Sequence, residues 1–125
     1  MVVLGKGERL RKDSEFANVR KRGRAWACEL VVLKAVANDL GRNRYGFVVG
    51  KRVGNAVVRN KVKRRLREIV RSSRTAPGWD MVYIARHGAS AASYQQLHSA
   101  VSELLRRAGF LASAQEAERM SRASK

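Results

Sequence analysis

Cysteine is nearly absent from this 125-residue chain. Cys28 stands alone, which excludes an internal disulfide and any zinc site built on several cysteines. A reducing, cytoplasmic setting is therefore the default. Acidic residues are scarce: ten Asp and Glu face 27 Lys and Arg, for a formal net charge of +17 and a pI near 11.5. No apolar run approaches the ~18 residues that cross a bilayer, and the apolar stretch from Cys28 to Val36 is broken by Glu29 and Lys34. The N-terminus lacks a signal-peptide core. No internal repeat is visible, and no His-x-Glu, paired-Asp or metal-spaced cluster occurs. What remains is one domain, 45% apolar, with enough material for a modest core. Its charge points first to nucleic acid and only second to an anionic membrane.

The charge concentrates between Lys51 and Arg71, where nine of 21 positions are Lys or Arg and the one carboxylate is Glu68. At about 100° per residue, Val58, Val62, Leu66, Ile69 and Val70 fall on one face of a helix. Asn60, Arg64, Arg67 and Arg71 fall opposite. Arg59 and Lys63 take one flank, Lys61 and Arg65 the other. Gly54 breaks the preceding strand pattern, Asn55 is the expected N-cap, and the helix runs to about Ser73. Four like-charge pairs at i,i+4 (Arg59/Lys63, Lys63/Arg67, Arg67/Arg71, Lys61/Arg65) each weaken an isolated helix by ~0.2–0.5 kcal/mol. Basic residues near the N-terminal end also oppose the helix dipole. A solvated face usually mixes signs; a polyanion partner accounts better for this one.

Before this stretch, residues 1–12 form a basic N-terminal extension with Arg9, Arg11 and Lys12. Asp13 or Ser14 caps a short helix that ends near Arg22 and Gly23. Phe16 in this helix either anchors it to the core or offers its ring to a ligand. Trp26 to Ala37 is a strand nearly buried on both faces, and turn residues Asn38 to Gly41 pair it with a second strand, Arg42 to Gly50. In that strand Tyr45, Phe47 and Val49 share one face, Gly46 and Val48 the other. Beyond the basic stretch, Pro77-Gly78 marks a turn before a third strand, Trp79 to Arg86. Ser93 to Arg107 is an amphipathic helix on Leu97, Val101, Leu104 and Leu105. Residues 111–125 are expected to be weakly ordered. The expected fold is α+β, an α/β sandwich of order α-β-β-α-β-α with helices on one side of a mixed sheet.

The run GKRVGNAVVRNKVKRRLREIVR resembles the signature of the protein subunit of bacterial ribonuclease P. Lys51-Arg52 match its basic strand end, Val53 to Val57 its Val-Gly-Asn-Ala-Val turn, and Arg59 to Glu68 its basic helix. Arg9-Leu10 and Asp13 to Val19 resemble the family's opening, Asp80 to Arg86 its late strand, and Leu97 to Leu105 its last helix, so the likeness covers about residues 9–110. The resemblance implies a left-handed crossover through the basic helix, against the usual right-handed rule. It implies a subunit of a tRNA-processing endonuclease in which the RNA partner binds Mg²⁺ and does the cleaving, with no catalytic residue on this chain; no metal ligand is assigned to the protein. Partners would be the ribonuclease P RNA, in a one-to-one ribonucleoprotein, and precursor tRNA. Arg59, Asn60, Lys63, Arg64, Arg65 and Arg67 match RNA-contacting positions, and Lys51, Arg52 and Lys61 join them by type and location. Phe16 matches an aromatic of a cleft for the single-stranded 5′ leader. Arg20 stands where several relatives carry a second aromatic, and an Arg there can stack on a base or bind phosphate. Tyr45 or Phe47 could complete the cleft or belong to the core.

Two other readings compete. A protein nuclease would draw on His87, His98, Asp39 or Asp80, without a supporting motif. A ribosomal-type RNA-binding protein or RNA chaperone would share the charge but has no reason to share the Phe16 helix together with the whole basic motif.

Overall fold

The computed structural model describes residues 9–110. Residues 1–8 and the tail at 111–125 lie outside the described residues. The elements run α1 (Asp13–Arg22), β1 (Arg24–Ala27), β2 (Val31–Ala37), β3 (Arg44–Val49), α2 (Ala56–Ser72), β4 (Trp79–Ala85) and α3 (Tyr94–Ala108). Short 3₁₀ turns occupy Lys51–Val53 and His87–Ser90. The fold is the expected α+β sandwich on a mixed sheet, with one strand more than anticipated. The stretch from Trp26 to Ala37 bends at residues 28–30 into two antiparallel strands.

The sheet order is β1-β2-β4-β3. The expected pairing across the Asn38–Gly41 turn is therefore replaced: β3 does not pair with β2, because β4 lies between them, antiparallel to β2 and parallel to β3. The turn chemistry at 38–41 serves a bridge, residues 38–43, over the start of β4. Asn38 directs it, since its Oδ1 accepts from Leu40 N and its Nδ2 donates to Arg42 O at 3.0 Å and to Asp80 Oδ1 at 2.9 Å. The Asn38 backbone N–H donates to Gly78 O across the β4 entrance.

The hand of the β3-α2-β4 crossover follows from L-chirality. Tyr45 points its side chain into the core beneath α2, and its carbonyl accepts from Leu10 N on the outer edge of β3. In an L-residue of a rising strand, with its side chain toward the viewer, N–H and C=O point right. β4 is thus to the left of β3 as seen from α2. A chain that rises in β3, descends in front as α2 and enters a strand on the left makes a left-handed crossover, as the resemblance implies and against the common rule.

Helices cover both faces, which corrects the one-sided packing expected. α2 and α3 lie over Leu33, Tyr45, Met81 and Tyr83, while α1 lies on the other face over Val82, with Val19 and Leu10 buried beside it. α2 forms despite its charge repulsion. Val62, Leu66, Ile69 and Val70 are buried, each worth ~1.5–3 kcal/mol, which outweighs four repulsions of a few tenths each. Asn55 caps α2 as expected, Oδ1 accepting from Val58 N at 3.0 Å. α3 starts with a capping box between Ser93 and Gln96. It ends at Gly109, φ 79°, a left-handed position that lets Phe110 N–H reach Leu105 O and Phe110 pack against Trp26 and Trp79.

α1 is capped differently from expectation. Neither Asp13 nor Ser14 does it. Glu15 Oε1 reaches back to accept from Arg11 N at 2.9 Å and Lys12 N at 2.8 Å.

Candidate nucleic-acid interface

The candidate residues on α2 separate by what already holds them. Lys51 and Arg52 on the 3₁₀ turn, and Asn60, Lys61 and Arg64 on the helix, are exposed. Arg59, Lys63, Arg65 and Arg67 lie half-buried on the flanks. Arg65 faces α3 and donates from Nη1 to Ala92 O at 3.1 Å, closing the junction before α3. It is thus a structural tie as well as a surface cation, so its replacement would disturb the fold. Lys61 and Arg64 are cleaner probes.

Arg59 and Arg67 each keep a buried Nε without a hydrogen-bond partner. Buried donors are normally satisfied. Burial pushes the Arg67 guanidinium below the usual arginine range, and the positive charges of Arg9 and Arg71 push it further. Among the described residues these cations have no carboxylate to answer them on this flank. An incoming phosphate would supply the charge they lack.

On the opposite face of the sheet, Phe16 lies over Gly46. A Cβ at Gly46 would sit 2.4 Å from Phe16 Cε1 and 3.2 Å from Leu10 Cδ1, so glycine is what lets the ring approach the strand. Tyr45 and Phe47 do not join Phe16 there, which removes them from a cleft built on its ring. Strand alternation turns them to the other face. The Tyr45 hydroxyl bonds with Asn43 Nδ2 and Thr75 Oγ1, and the Phe47 ring stacks on Tyr83 with centroids 5.6 Å apart. The side chains that do share the Phe16 face come from the register. Val48 aligns with Ile84, and Ile84 with Val32, as a row across three strands. Val48 is 39% exposed and the other two partly so. Arg20 is exposed one helical turn beyond Phe16. Sequence reasoning missed this apolar shelf because no single segment carries it; only Val48 opposite Phe47 on β3 hinted at it.

Val48 lies just before Lys51 in the chain. The shelf and the basic helix therefore meet at the C-terminal end of β3.

α1 is fastened to this face by an ionic clasp. Asp80, 2% exposed, accepts from Arg44 Nε at 2.8 Å and Nη2 at 2.6 Å, and from Asn38. Arg44 also donates to Glu15 on α1. The backbone N–H groups of Lys12 and Arg11 hold the Glu15 carboxyl below its usual range, helped by Arg44. A lowered folded-state pKa stabilises the fold above the unfolded value of 4.5, and that contribution disappears as pH falls through the lower folded value. Acidification below about 4.5 should thus loosen α1 before the sheet. Amide exchange across Asp13–Arg22 should accelerate there, and Glu15→Gln should remove the pH dependence while leaving faster exchange at neutral pH.

The nuclease candidates do not assemble. Asp80 is committed to Arg44 and Asn38, Asp39 is exposed in the bridging loop, and His87 lies beyond the far end of β4. His98, at core spacing in the sequence, is exposed on α3 beside Tyr94. Among the described residues no group of three or more His, Cys, Asp or Glu is placed to hold a metal ion, and no helix is long and apolar enough to cross a membrane.

Known proteins share this architecture. The profile of the family described as Ribonuclease P matches residues 4–109. The ribonuclease P protein component of Roseiflexus castenholzii is 47% identical over 104 residues, covering 81% of this chain and 85% of that protein. The component from Dehalococcoides mccartyi is 41% identical over 108 residues, covering 86% and 90%. Two solved structures superpose well: the RNase P protein of Staphylococcus aureus, with TM-score 0.76 and 32% identity over 82% of this chain and 96% of the other, and that of Thermotoga maritima, with TM-score 0.74 and 32% identity over 80% and 96%. With its basic helix, its clasped first helix and its strand order accounted for, the chain belongs to the ribonuclease P protein family, whose members are components of a tRNA-processing ribonuclease.

Proposed function

We propose that this chain docks on ribonuclease P RNA through α2 and the Lys51-Arg52 turn, and receives the 5′ leader of precursor tRNA on the shelf beside Phe16. The RNA, with its Mg²⁺, cleaves; the protein supplies binding and orientation. The observation that carries the reading is the cationic flank of α2, where Arg59, Lys63 and Arg67 meet no carboxylate among the described residues. The shelf suits a single strand. Phe16 offers a ring face, Val32, Val48 and Ile84 an apolar floor, and Arg20 a cation for a phosphate or a base. Such contacts tolerate many sequences, as a subunit serving many precursors needs. A one-to-one ribonucleoprotein in the cytoplasm completes the proposal.

Reconstitution tests it. Added to a cognate ribonuclease P RNA at low Mg²⁺, the protein should raise precursor cleavage; no gain would favour a ribosomal or chaperone role. Within the assembled enzyme, Phe16→Ala should weaken leader-bearing precursor about tenfold, the scale of one stacking interaction removed. Mature tRNA should bind nearly as before. Equal weakening of both would return Phe16 to a purely structural role.

A further inference from the structure

We infer that Arg9 and Arg67 grip one phosphate of the docked RNA between them, and that this grip holds in place the Leu10–Phe16 contact supporting the leader shelf. The inference rests on the docking proposed above and adds a connection between its two surfaces.

Residues 9 and 10 lie along the open edge of β3. Arg9 bridges to Tyr45 in parallel, and Leu10 N donates to Tyr45 O at 3.0 Å. Register and alternation then send the two side chains to opposite faces. Arg9 shares the Tyr45 face, where α2 lies, and its charge acts on Arg67. Leu10 shares the Gly46 face, buried with Val19 and Val82 and packed against Phe16. One short segment thus touches the RNA flank with one residue and the shelf with the next.

On the α2 side, Arg9 acts on Arg67 by repulsion, and the Arg67 Nε has no acceptor. A phosphate between the two guanidiniums reverses the sign of that interaction. The backbone bond to Tyr45 and the seat of Leu10 against Phe16 are strengthened by the same event. Docking on the RNA would then prepare the shelf for the leader, a coupling that must be reciprocal.

The experiment uses the full chain with ribonuclease P RNA and compares Arg9→Ala with Arg64→Ala. Both should weaken assembly, by about tenfold for one charge-assisted hydrogen bond removed. At saturating RNA they should diverge. Arg64→Ala should keep the wild-type preference for leader-bearing precursor over mature tRNA, and Arg9→Ala should lose it several-fold. Exchange of the Leu10 amide gives a second readout: RNA should slow it in wild type and fail to do so in Arg9→Ala. Full leader preference at saturation in Arg9→Ala, or equal slowing of Leu10 in both proteins, overturns the coupling. If wild-type protein itself shows no RNA binding or no leader preference, the docking proposal fails and the coupling falls with it.

Discussion

Lys61→Glu combined with Arg64→Glu should reduce affinity for ribonuclease P RNA by about a hundredfold or more near ~0.1 M salt, while the stability of the free protein changes little. Both side chains are exposed and lie off the buried stripe, so the core is untouched. In the free protein the change relieves the Lys61/Arg65 repulsion, worth ~0.2–0.5 kcal/mol, and sets a carboxylate at position 64 against Glu68 at i,i+4, a repulsion of similar size, so the two nearly cancel. In the complex it removes two counterion-releasing cations and adds two repulsive charges. The slope of log affinity against log salt should become shallower by roughly 0.7–0.9 for each phosphate left without its cation. Titrations at three salt concentrations, with urea unfolding of the free protein, measure both halves. Unchanged affinity would exclude this face from the RNA interface.

Asp80→Ala should destabilise the fold by about 3 kcal/mol, a large share of what a small domain has. Removing one partner of a buried ion pair strands the other, which costs ~3–5 kcal/mol. The lower end applies because the Arg44 side chain retains 22% exposure against 3% for Asp80. Asn38 Nδ2 also loses an acceptor. The damage should be directional. Arg44 and Asn38 sit on either side of β4, so β3, β4 and the bridging loop loosen together, and α1 loosens with them through Glu15. The urea midpoint should fall accordingly. Leader preference should decline before RNA docking does, since α2 packs on the other face. A double variant, Asp80→Leu with Arg44→Met, should recover much of the stability by replacing the pair with apolar contacts. Failure to recover would mean that the ion pair also specifies strand order.

What could be read in advance was local. The α2 stripe, the Asn55 cap and the α3 pattern each lie within a few turns of chain, where periodicity and capping chemistry decide. Four features could not be read this way. The position of β4 between β2 and β3 joins Asp80 to Asn38 and Arg44 from distant segments, a juxtaposition no local pattern announces. The exclusion of Tyr45 and Phe47 from the Phe16 face was implicit in strand alternation, but required knowing on which face α1 packs. The Glu15 cap reaches backward from inside its own helix, so Asp13 and Ser14 looked better placed. Arg65 looked free because its acceptor, Ala92 O, is 27 residues away. The basic motif carried the family resemblance because its charged residues lie together in one stretch of chain. The shelf left none because three strands share it.

The strand order also bears on synthesis. The middle position beside β3 belongs to β4, which follows α2 in the chain. As the protein leaves the ribosome, the basic helix emerges before Trp79–Ala85, and its buried stripe has no complete floor until that strand slots between two earlier ones. Non-local pairing of this kind is slow to form. A nascent chain therefore carries a cationic, half-supported helix before it has a finished sheet, and a chain stopped short of Trp79 keeps the charges of α2 without the strand that joins them to the Phe16 face.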